Sequence, residues 1–221
     1  MKLPISPRLL ACAGFVRPGE RVADVGCDHG YLSIYLLQQG IASRVIASDI
    51  RPMPLQSAKN NALRYGFADR ISFHLSDGVQ SIPRDFDTLI CAGMGGDTMV
   101  SILCAAPWLQ NQAYRLILQC QSKTPLLRAY LSDTGWHIAE ETVLRDGRFL
   151  YTIMQVCWQP DAPRLSPAQT YFPPALLQHP TDDTRQYHKW VLDGLQLAAA
   201  HRSDPELNQI IHEINHLEVP L

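Results

Sequence analysis

A glycine turn that carries an acidic residue follows an apolar run near the start of the chain. The segment reads Val22-Ala-Asp-Val-Gly-Cys-Asp-His-Gly-Tyr-Leu32 and contains the pattern Asp-x-Gly-x-x-x-Gly. This pattern is typical of a strand that passes through a tight turn into a helix, whose first N–H groups are free to bind a ligand. Gly26 and Gly30 supply backbone torsions that residues with a Cβ resist. The segment therefore predicts a ligand-binding turn or, more simply, a tight connection in an α/β fold.

The residue at position 28 indicates which ligand such a turn would accept. A dinucleotide-binding turn reads G-x-G-x-x-G, and its middle glycine lets the backbone approach a pyrophosphate. Here Asp28 replaces the middle glycine. Its carboxylate would repel a diphosphate but would tolerate a cofactor with a positive centre, such as S-adenosylmethionine (SAM). The turn favours SAM over NAD or ATP.

Two further strands of the predicted sheet end in acidic residues. Asp49, followed by Ile50, lies where an acid can accept hydrogen bonds from ribose hydroxyls, although NAD enzymes use the same device and Asp49 could instead cap a helix. Asp77 precedes Gly78, which permits a turn, and could accept from an adenine amine. Because three acids follow three successive strands, we expect one cofactor-binding edge.

A glycine-rich segment, Ala92-Gly-Met-Gly-Gly-Asp97, follows the fourth predicted strand. Gly93, Met94 and Gly95 are therefore assigned to the cofactor-binding edge. Many methyltransferases that act on an amino nitrogen carry Asn/Asp-Pro-Pro-aromatic here, and that motif is absent. Consecutive glycines expose backbone groups and leave room for a flat base, whereas a flexible loop would need fewer of them.

Strands and helices alternate along the first part of the chain. The predicted strands are approximately Arg21–Gly26, Arg44–Asp49, Ile71–Leu75, Asp87–Ala92 and Tyr114–Gln119. The predicted helices are Pro7–Val16, His29–Gln39, Leu55–Tyr65, Thr98–Ala105 and Pro125–Thr134. This alternation predicts a parallel sheet with helices on both faces.

After Gly135, two β-rich runs, Trp136–Leu144 and Phe149–Val156, flank an Asp-Gly turn signal and predict an antiparallel hairpin. The whole is the outline of an α/β, Rossmann-like class I methyltransferase, assigned to residues 1–158. Six prolines in residues 159–183 predict a linker over the surface, and residues 184–221 predict a small C-terminal helical hairpin. That hairpin could pack on the main domain or extend as a substrate arm.

Bulk composition limits the classes of function. With 221 residues, 46% hydrophobic, the chain can bury one substantial core. A net charge of −2 argues against nucleic-acid binding by bulk charge alone. Charge is unevenly distributed, however: residues 1–76 carry +4 and residues 181–221 carry −4. The N-terminal part could present a basic face or merely solvated helices.

Cysteine and histidine spacing predicts no metal site. The cysteines form no C-x-x-C pair and most stand in apolar runs, as reduced core residues of a cytoplasmic protein do. The histidines show neither H-x-x-H nor H-E-x-x-H spacing. The sequence has no N-terminal signal pattern and no apolar run of about 18 residues, so we expect neither secretion nor a membrane span.

Several segments together resemble the bacterial tRNA (adenine-22)-N1 methyltransferases, the TrmK family. They are Ala23–Leu32, Ala92–Gly96, Leu116–Gln119 and the Leu-Arg-x-x-Leu pattern at Leu127–Leu131. The resemblance covers roughly residues 5–157, with weaker similarity around Tyr171–Pro174. It implies a class I methyltransferase fold with C-terminal helices, SAM as cofactor, tRNA as partner, and Asp28 as the residue nearest to catalysis. Ser33 and Cys120 depart from the family pattern, which often has proline at both positions.

The resulting hypothesis is direct transfer of a methyl group to adenine N1, with Asp28 accepting from the exocyclic amine or, alternatively, holding the cofactor's amino group. Substrate contacts are assigned to His29 and Tyr31 beside the base, and to Arg8, Arg17, Arg51 and Lys59 on phosphates. The alternatives are another acceptor (ribosomal RNA, a protein amine or a small molecule), a non-catalytic SAM- or RNA-binding module, and a nicotinamide-dependent enzyme. A monomer is favoured, and the sequence does not fix the oligomeric state.

Overall fold

Within residues 3–200 and 204–220, which the computed structural model describes, seven strands form one sheet. They are β1 (Arg21–Val25), β2 (Arg44–Asp49), β3 (Ile71–Leu75), β4 (Thr88–Gly95), β5 (Arg115–Ser122), β6 (Trp136–Asp146) and β7 (Phe149–Trp158). Their order across the sheet is β3-β2-β1-β4-β5-β7-β6. The first five strands pair in parallel, and β7 pairs antiparallel with both β5 and β6. The predicted parallel sheet with a terminal hairpin is confirmed.

Helices cover both faces of the sheet. They are α1 (Pro7–Gly14), α2 (Tyr31–Gln38), α3 (Pro52–Tyr65), α4 (Gly96–Cys104), α5 (Thr124–Asp133), α6 (Pro167–Tyr171), α7 (Asp182–Ala200) and α8 (Pro205–Asn215). Alternate residues of the central strands face opposite sides, so Leu89 and Leu116 join one apolar cluster while Ile90 and Ile117 join the other. Burial on both faces explains why these strands read as continuous apolar runs.

Two predicted boundaries near the glycine segments were wrong. α2 begins at Tyr31 rather than His29, because Gly30 adopts a left-handed conformation (φ 71°) that a helix interior does not accept. β4 continues through the glycine-rich segment as far as Gly95, where a loop was expected, and α4 follows at Gly96 without a break. The glycines therefore belong to an irregular strand end.

The stretch 159–183, predicted to be a surface linker, instead forms α6 and a 3₁₀ turn at Pro174–Leu177. Pro167 and Pro174 stand at the first positions of these elements, where proline favours a helix start and no N–H is needed. Phe172 and Leu176 are buried in a cluster with residues of α7 and α8. The expected C-terminal helices are present as α7 and α8, and they pack on this segment.

A buried ion pair joins this C-terminal part to the sheet. Arg128 of α5 and Glu141 of β6 are both 0% exposed, with Nη2 to Oε1 at 2.6 Å. The same guanidinium donates to the carbonyl oxygens of Thr170 (2.9 Å) and Tyr171 (2.7 Å), and to the Tyr187 hydroxyl at 3.4 Å. Three segments distant in sequence thus share one cation.

Candidate cofactor and substrate site

A cavity of about 410 Å³ lies at the carboxyl ends of the parallel strands. From β1 the chain proceeds to β2 and β3 on one side, and then returns to β4 and β5 on the other. Ligands of open α/β sheets bind at such a reversal of strand order. Of the residues proposed for the site, the cavity is lined by Arg8, Gly26, Asp28, His29, Tyr31, Asp49, Ile50, Arg51, Asp77, Gly78, Gly93 and Met94.

Four proposed residues do not line this cavity. Gly30 ends the turn, where a Cβ would lie 3.0 Å from the Cβ of Ala58 in α3, and Gly95 precedes α4. Arg17 borders a separate depression beside Arg115, while Lys59 lies on α3 outside the cavity lining. The four proposed phosphate-binding residues therefore do not all line this cavity.

The turn after β1 is held by backbone hydrogen bonds and by left-handed residues. The amides of Gly26 and Cys27 both donate to the Ser48 carbonyl at 2.8 Å. Gly26 has φ 73°, and a Cβ at this position would overlap Cε of Met94. Asp28 is also left-handed, at φ 50°, a conformation that costs a non-glycine residue free energy and is often retained at functional sites.

Asp28 and Asp49 meet in this turn but differ in surroundings. The Asp49 carboxylate is buried and accepts from the backbone amides of Asp28 (3.2 Å) and Arg51 (2.9 Å). Each of its oxygens retains a lone pair that a hydroxyl could use. The Asp28 side chain is 64% exposed at the cavity mouth, with Oδ1 at 3.8 Å from Nε2 of His29. The ring centroids of His29 and Tyr31 are 5.9 Å apart.

Asp24 is a cavity residue to which the sequence argument gave no role. It is 3% exposed, and its Oδ2 accepts from the Ser33 hydroxyl at 2.7 Å. Burial raises the pKa of the Asp24 carboxyl to about 6, with the Ser33 hydrogen bond opposing that rise. The sequence contains a signal for Asp24, which is an ionisable residue within the apolar run Val22–Val25. A carboxylate in such a run is expected to be buried and therefore needs a polar or charged partner.

Carboxylates dominate one side of the cavity. Asp24, Asp28, Asp49 and Asp77 line it, against two cations, Arg8 and Arg51. Asp77 lies exposed at the rim, while Gly78 is buried against Ile102 of α4, which leaves no room for a Cβ. A wall of this charge disfavours a diphosphate and favours a ligand with a positive group.

The end of β4, next to the β1 turn, and α1 form another part of the cavity lining. Gly93 has φ 81°, and its amide donates to Oε1 of Gln119 at 2.9 Å. Arg8 also donates to that oxygen, at 3.0 Å, and its Nε lies 3.6 Å from the Asp146 carboxylate. Arg8 was predicted as a phosphate contact, but the structure gives it these protein partners inside the cavity. The sequence predicts no role for Gln119 beyond its place in the Leu116–Gln119 segment.

Neither a metal cluster nor a membrane helix is found in the described part of the chain. No group of three or more His, Cys, Asp and Glu residues there could hold a metal ion. No helix within residues 3–200 and 204–220 is long and apolar enough to cross a bilayer. The cysteine thiols are all free, and burial raises the pKa of Cys12 and Cys91 to about 12.

Several known proteins that are similar to this chain in sequence or fold are methyltransferases. A methyltransferase-domain family model matches residues 5–154. The tRNA (adenine(22)-N(1))-methyltransferase of Bacillus subtilis is 31% identical over 154 residues, which are 69% of this chain and 65% of that protein. A candidate tRNA methyltransferase of Mycoplasma genitalium is 32% identical over 138 residues, 61% of each chain. The matched region thus spans somewhat under two thirds of these curated relatives.

A solved structure extends the similarity over the C-terminal helices. The candidate tRNA (m1A22) methyltransferase of Streptococcus pneumoniae, in complex with S-adenosyl-L-methionine, is 30% identical. It covers 96% of this chain, the match covers 100% of that chain, and the TM-score is 0.85. The chain therefore belongs to the methyltransferase-domain family and, within it, to the TrmK-like family of bacterial tRNA (adenine-22)-N1 methyltransferases.

Proposed function

We propose that this protein methylates N1 of adenine 22 in tRNA and uses SAM as the methyl donor. The observation that carries the proposal is the cavity at the β1/β4 reversal, where acidic residues surround a glycine turn whose middle position is Asp28. The relatives named above support the choice of acceptor. A cytoplasmic, monomeric protein is part of the same proposal.

The cavity residues fit SAM better than a dinucleotide. Asp24, buried under the turn, would accept from the ammonium group of the cofactor's methionine part, and Asp49 from its ribose hydroxyls. Asp77 at the rim would accept from the adenine amine, beside Gly78. When bound, SAM supplies a methyl group attached to a positively charged sulfur, for which the carboxylate-lined wall is electrostatically favourable.

Asp28 is assigned to the acceptor. Adenine N1 has a lone pair in the ring plane, so its attack requires no strong base. Methylation gives the ring positive charge, and a carboxylate near the exocyclic amine stabilises that charge. Asp24 is the buried acid available to the cofactor ammonium, whereas Asp28 is 64% exposed at the mouth, where an incoming base would arrive. This difference favours the acceptor role over the alternative role in holding the cofactor.

The acceptor base must be unpaired, because N1 lies on its Watson–Crick edge. His29 and Tyr31 provide rings beside the cavity mouth, and Met94 lies on its β4 wall. Arg51 is largely exposed beside Asp49 and is free to contact a phosphate. One terminal amino group of Arg8 donates to Gln119, and the other would donate to a phosphate.

The test is methyl transfer from labelled SAM to total tRNA that lacks the modification. Mass spectrometry of the nucleosides, followed by mapping, should give N1-methyladenosine at position 22. The Asp28→Asn variant is the control for catalysis at this site, since asparagine tolerates the left-handed conformation. Transfer to ribosomal RNA or protein instead would assign another acceptor. SAM binding without transfer to any of these would favour a binding module.

A further inference from the structure

Gly93 occupies a bulge in the pairing of β4 with β5. In the register of the two strands, Ala92 pairs with Gln119 and Met94 with Cys120, so Gly93 is an extra residue without a ladder partner. A buried backbone amide without an acceptor would cost free energy comparable to a lost hydrogen bond. The Gln119 side chain supplies the acceptor, at 2.9 Å from the Gly93 nitrogen.

Gln119 has no exposed surface, and every polar atom of its side chain is used. Oε1 accepts from both Gly93 and Arg8, and Nε2 donates to the Cys120 carbonyl at 3.2 Å. The two groups that meet Oε1 are both donors, so the amide has one orientation that satisfies them. A glutamine held from both sides in this way has a fixed position.

The network reaches the cavity wall. Ala92, Gly93, Met94 and Arg8 all line the cavity, while Gln119 lies behind them. A trans peptide holds its N–H and C=O antiparallel, so fixing the Gly93 amide also fixes the Ala92 carbonyl. Arg8 is held by the same oxygen and lies near Asp146, which connects α1, β4, β5 and the end of β6.

We infer that Gln119 is a positioning residue, which holds the Ala92–Met94 bulge and Arg8 in the arrangement that receives the acceptor base. The inference rests on the proposed function, because it concerns the acceptor side of the same cavity. Gln119 itself does not line the cavity. It acts through the Gly93 amide and the Arg8 guanidinium.

Gln119→Met tests the inference because methionine matches glutamine in length and lacks the acceptor. An acceptor displaced by about 1 Å can cost about a hundredfold in rate, so we expect kcat to fall by about thirtyfold to a hundredfold. The Kd for SAM should stay within about threefold, because Gln119 forms no hydrogen bond with the carboxylates that fit SAM. Gln119→Glu keeps both acceptor bonds but loses the Nε2 bond to the Cys120 carbonyl, so it should recover part of the lost kcat.

The matched control is Thr88→Val, at the opposite end of β4. Thr88 is also fully buried, and its hydroxyl donates to Glu20 at 2.8 Å, far from the cavity. Loss of this hydrogen bond should lower the melting temperature about as much as Gln119→Met does and leave kcat unchanged. An equal loss of kcat in both variants would reduce Gln119 to a general stabilising role and overturn the inference.

Hydrogen exchange of the Gly93 amide, measured by NMR after ¹⁵N-glycine labelling, tests the inference without any acceptor. Exchange should be at least about tenfold faster in Gln119→Met and near wild type in Gln119→Glu. Unchanged exchange in Gln119→Met would overturn the inference even if wild-type methylation were established. Conversely, faster exchange in Gln119→Met combined with a wild type that methylates nothing would support the role of Gln119 in holding the Gly93 amide and reject the proposed function. If Gln119→Met does not fold, Gln119→Asn, which withdraws the oxygen by one methylene, is expected to change exchange in the same direction.

Discussion

Among the four carboxylates of the cavity, Asp28 alone combines an exposed side chain with a left-handed backbone. A strained residue at a turn is retained where its neighbours determine its conformation, and Asp49 does so here by accepting from the Asp28 amide. The carboxylate is thereby held at the cavity mouth, although no side-chain hydrogen bond fixes it in the described structure.

Replacing Asp28 with asparagine should separate turnover from cofactor binding. Asparagine keeps the size and tolerates positive φ, but it removes the negative charge near the methylated ring. We expect kcat to fall by about a hundredfold or more, as for other losses of transition-state electrostatics. The Kd for SAM, measured by calorimetry, should change by less than about threefold. Loss of SAM affinity with kcat retained at saturation would move Asp28 to the cofactor site.

The raised pKa of Asp24 predicts a pH dependence of SAM binding. Burial disfavours the charged carboxylate, so the free folded protein holds this proton more tightly than the unfolded chain does. The contribution of Asp24 to stability is therefore lost as pH rises through about 6. A cationic cofactor requires the charged form, so SAM affinity should weaken as pH falls below about 6, towards tenfold per unit.

Calorimetry on either side of that pKa would measure this dependence. The wild type should lose affinity at the lower pH, and Asp24→Asn should bind weakly with little pH dependence. Ser33→Ala removes the hydrogen bond that opposes the shift, so the loss should begin at a higher pH. A flat profile for the wild type would exclude Asp24 as the ammonium partner.

Site residues that follow a strand or form a turn could be predicted from the sequence. The carboxyl ends of parallel strands meet at one edge of the sheet, so acidic residues at these positions are expected to share one site. Asp49 and Asp77 are examples. Gln119 could not be found in this way, because it depends on Arg8, which is 111 residues away, and on a bulge that no local pattern announces. Arg17 was predicted to contact phosphate because residues 1–76 carry +4. Net charge contains no information about the face on which a residue lies.

At the scale of elements, the alternation of apolar runs with helical periodicity was enough to predict the sheet and its terminal hairpin. The structure differs from the predicted linker in the proline-rich stretch 159–183 because proline is common both after the end of a helix and at its first position. Only packing against the rest of the chain decides between a linker and a helix start. Phe172 and Leu176 supply that packing against α7 and α8. The Arg128–Glu141 pair joins the same stretch to the sheet.

Arg128→Met should strongly destabilise the protein. It leaves Glu141 buried without its cation and leaves the carbonyls of Thr170 and Tyr171 without their donor. We expect a loss of about 3–5 kcal/mol in the free energy of unfolding, measured in urea. Proteolysis within residues 159–183 should also become faster, since that stretch loses an attachment.

The double variant Arg128→Met/Glu141→Met distinguishes an unpaired charge from lost packing. With both charges removed, stability should recover substantially, though not completely, because the two carbonyls stay unpaired. Arg185→Met, which breaks a partly exposed ion pair with Asp182 and an exposed hydrogen bond to the Pro220 carbonyl, is the control and should change stability little. Equal stability of the single and double variants would show that the charge on Glu141 is not the cause.

At the scale of the whole molecule, charge is unevenly distributed along the chain. Residues 1–76 carry +4 and residues 181–221 carry −4. The structure divides the predicted phosphate contacts, however, because Arg8 and Arg51 line the cavity while Arg17 borders another depression. A phosphate next to the acceptor base would therefore meet Arg51, which is exposed, more readily than Arg17.

The salt dependence of tRNA binding measures this difference. Arg51→Met should weaken binding and reduce the slope of log K against log salt by about 0.7–0.9, the value for one released counterion, between about 50 and about 200 mM salt. Arg84→Met is the matched control, because Arg84 lies over the ring of Trp108, away from the cavity, and should leave the slope unchanged. Arg17→Met tests the second depression with the same titration. If Arg17→Met reduced the slope and Arg51→Met did not, the tRNA would lie across the face of α1 rather than over the cavity mouth, and the acceptor base would have to reach Asp28 from that side.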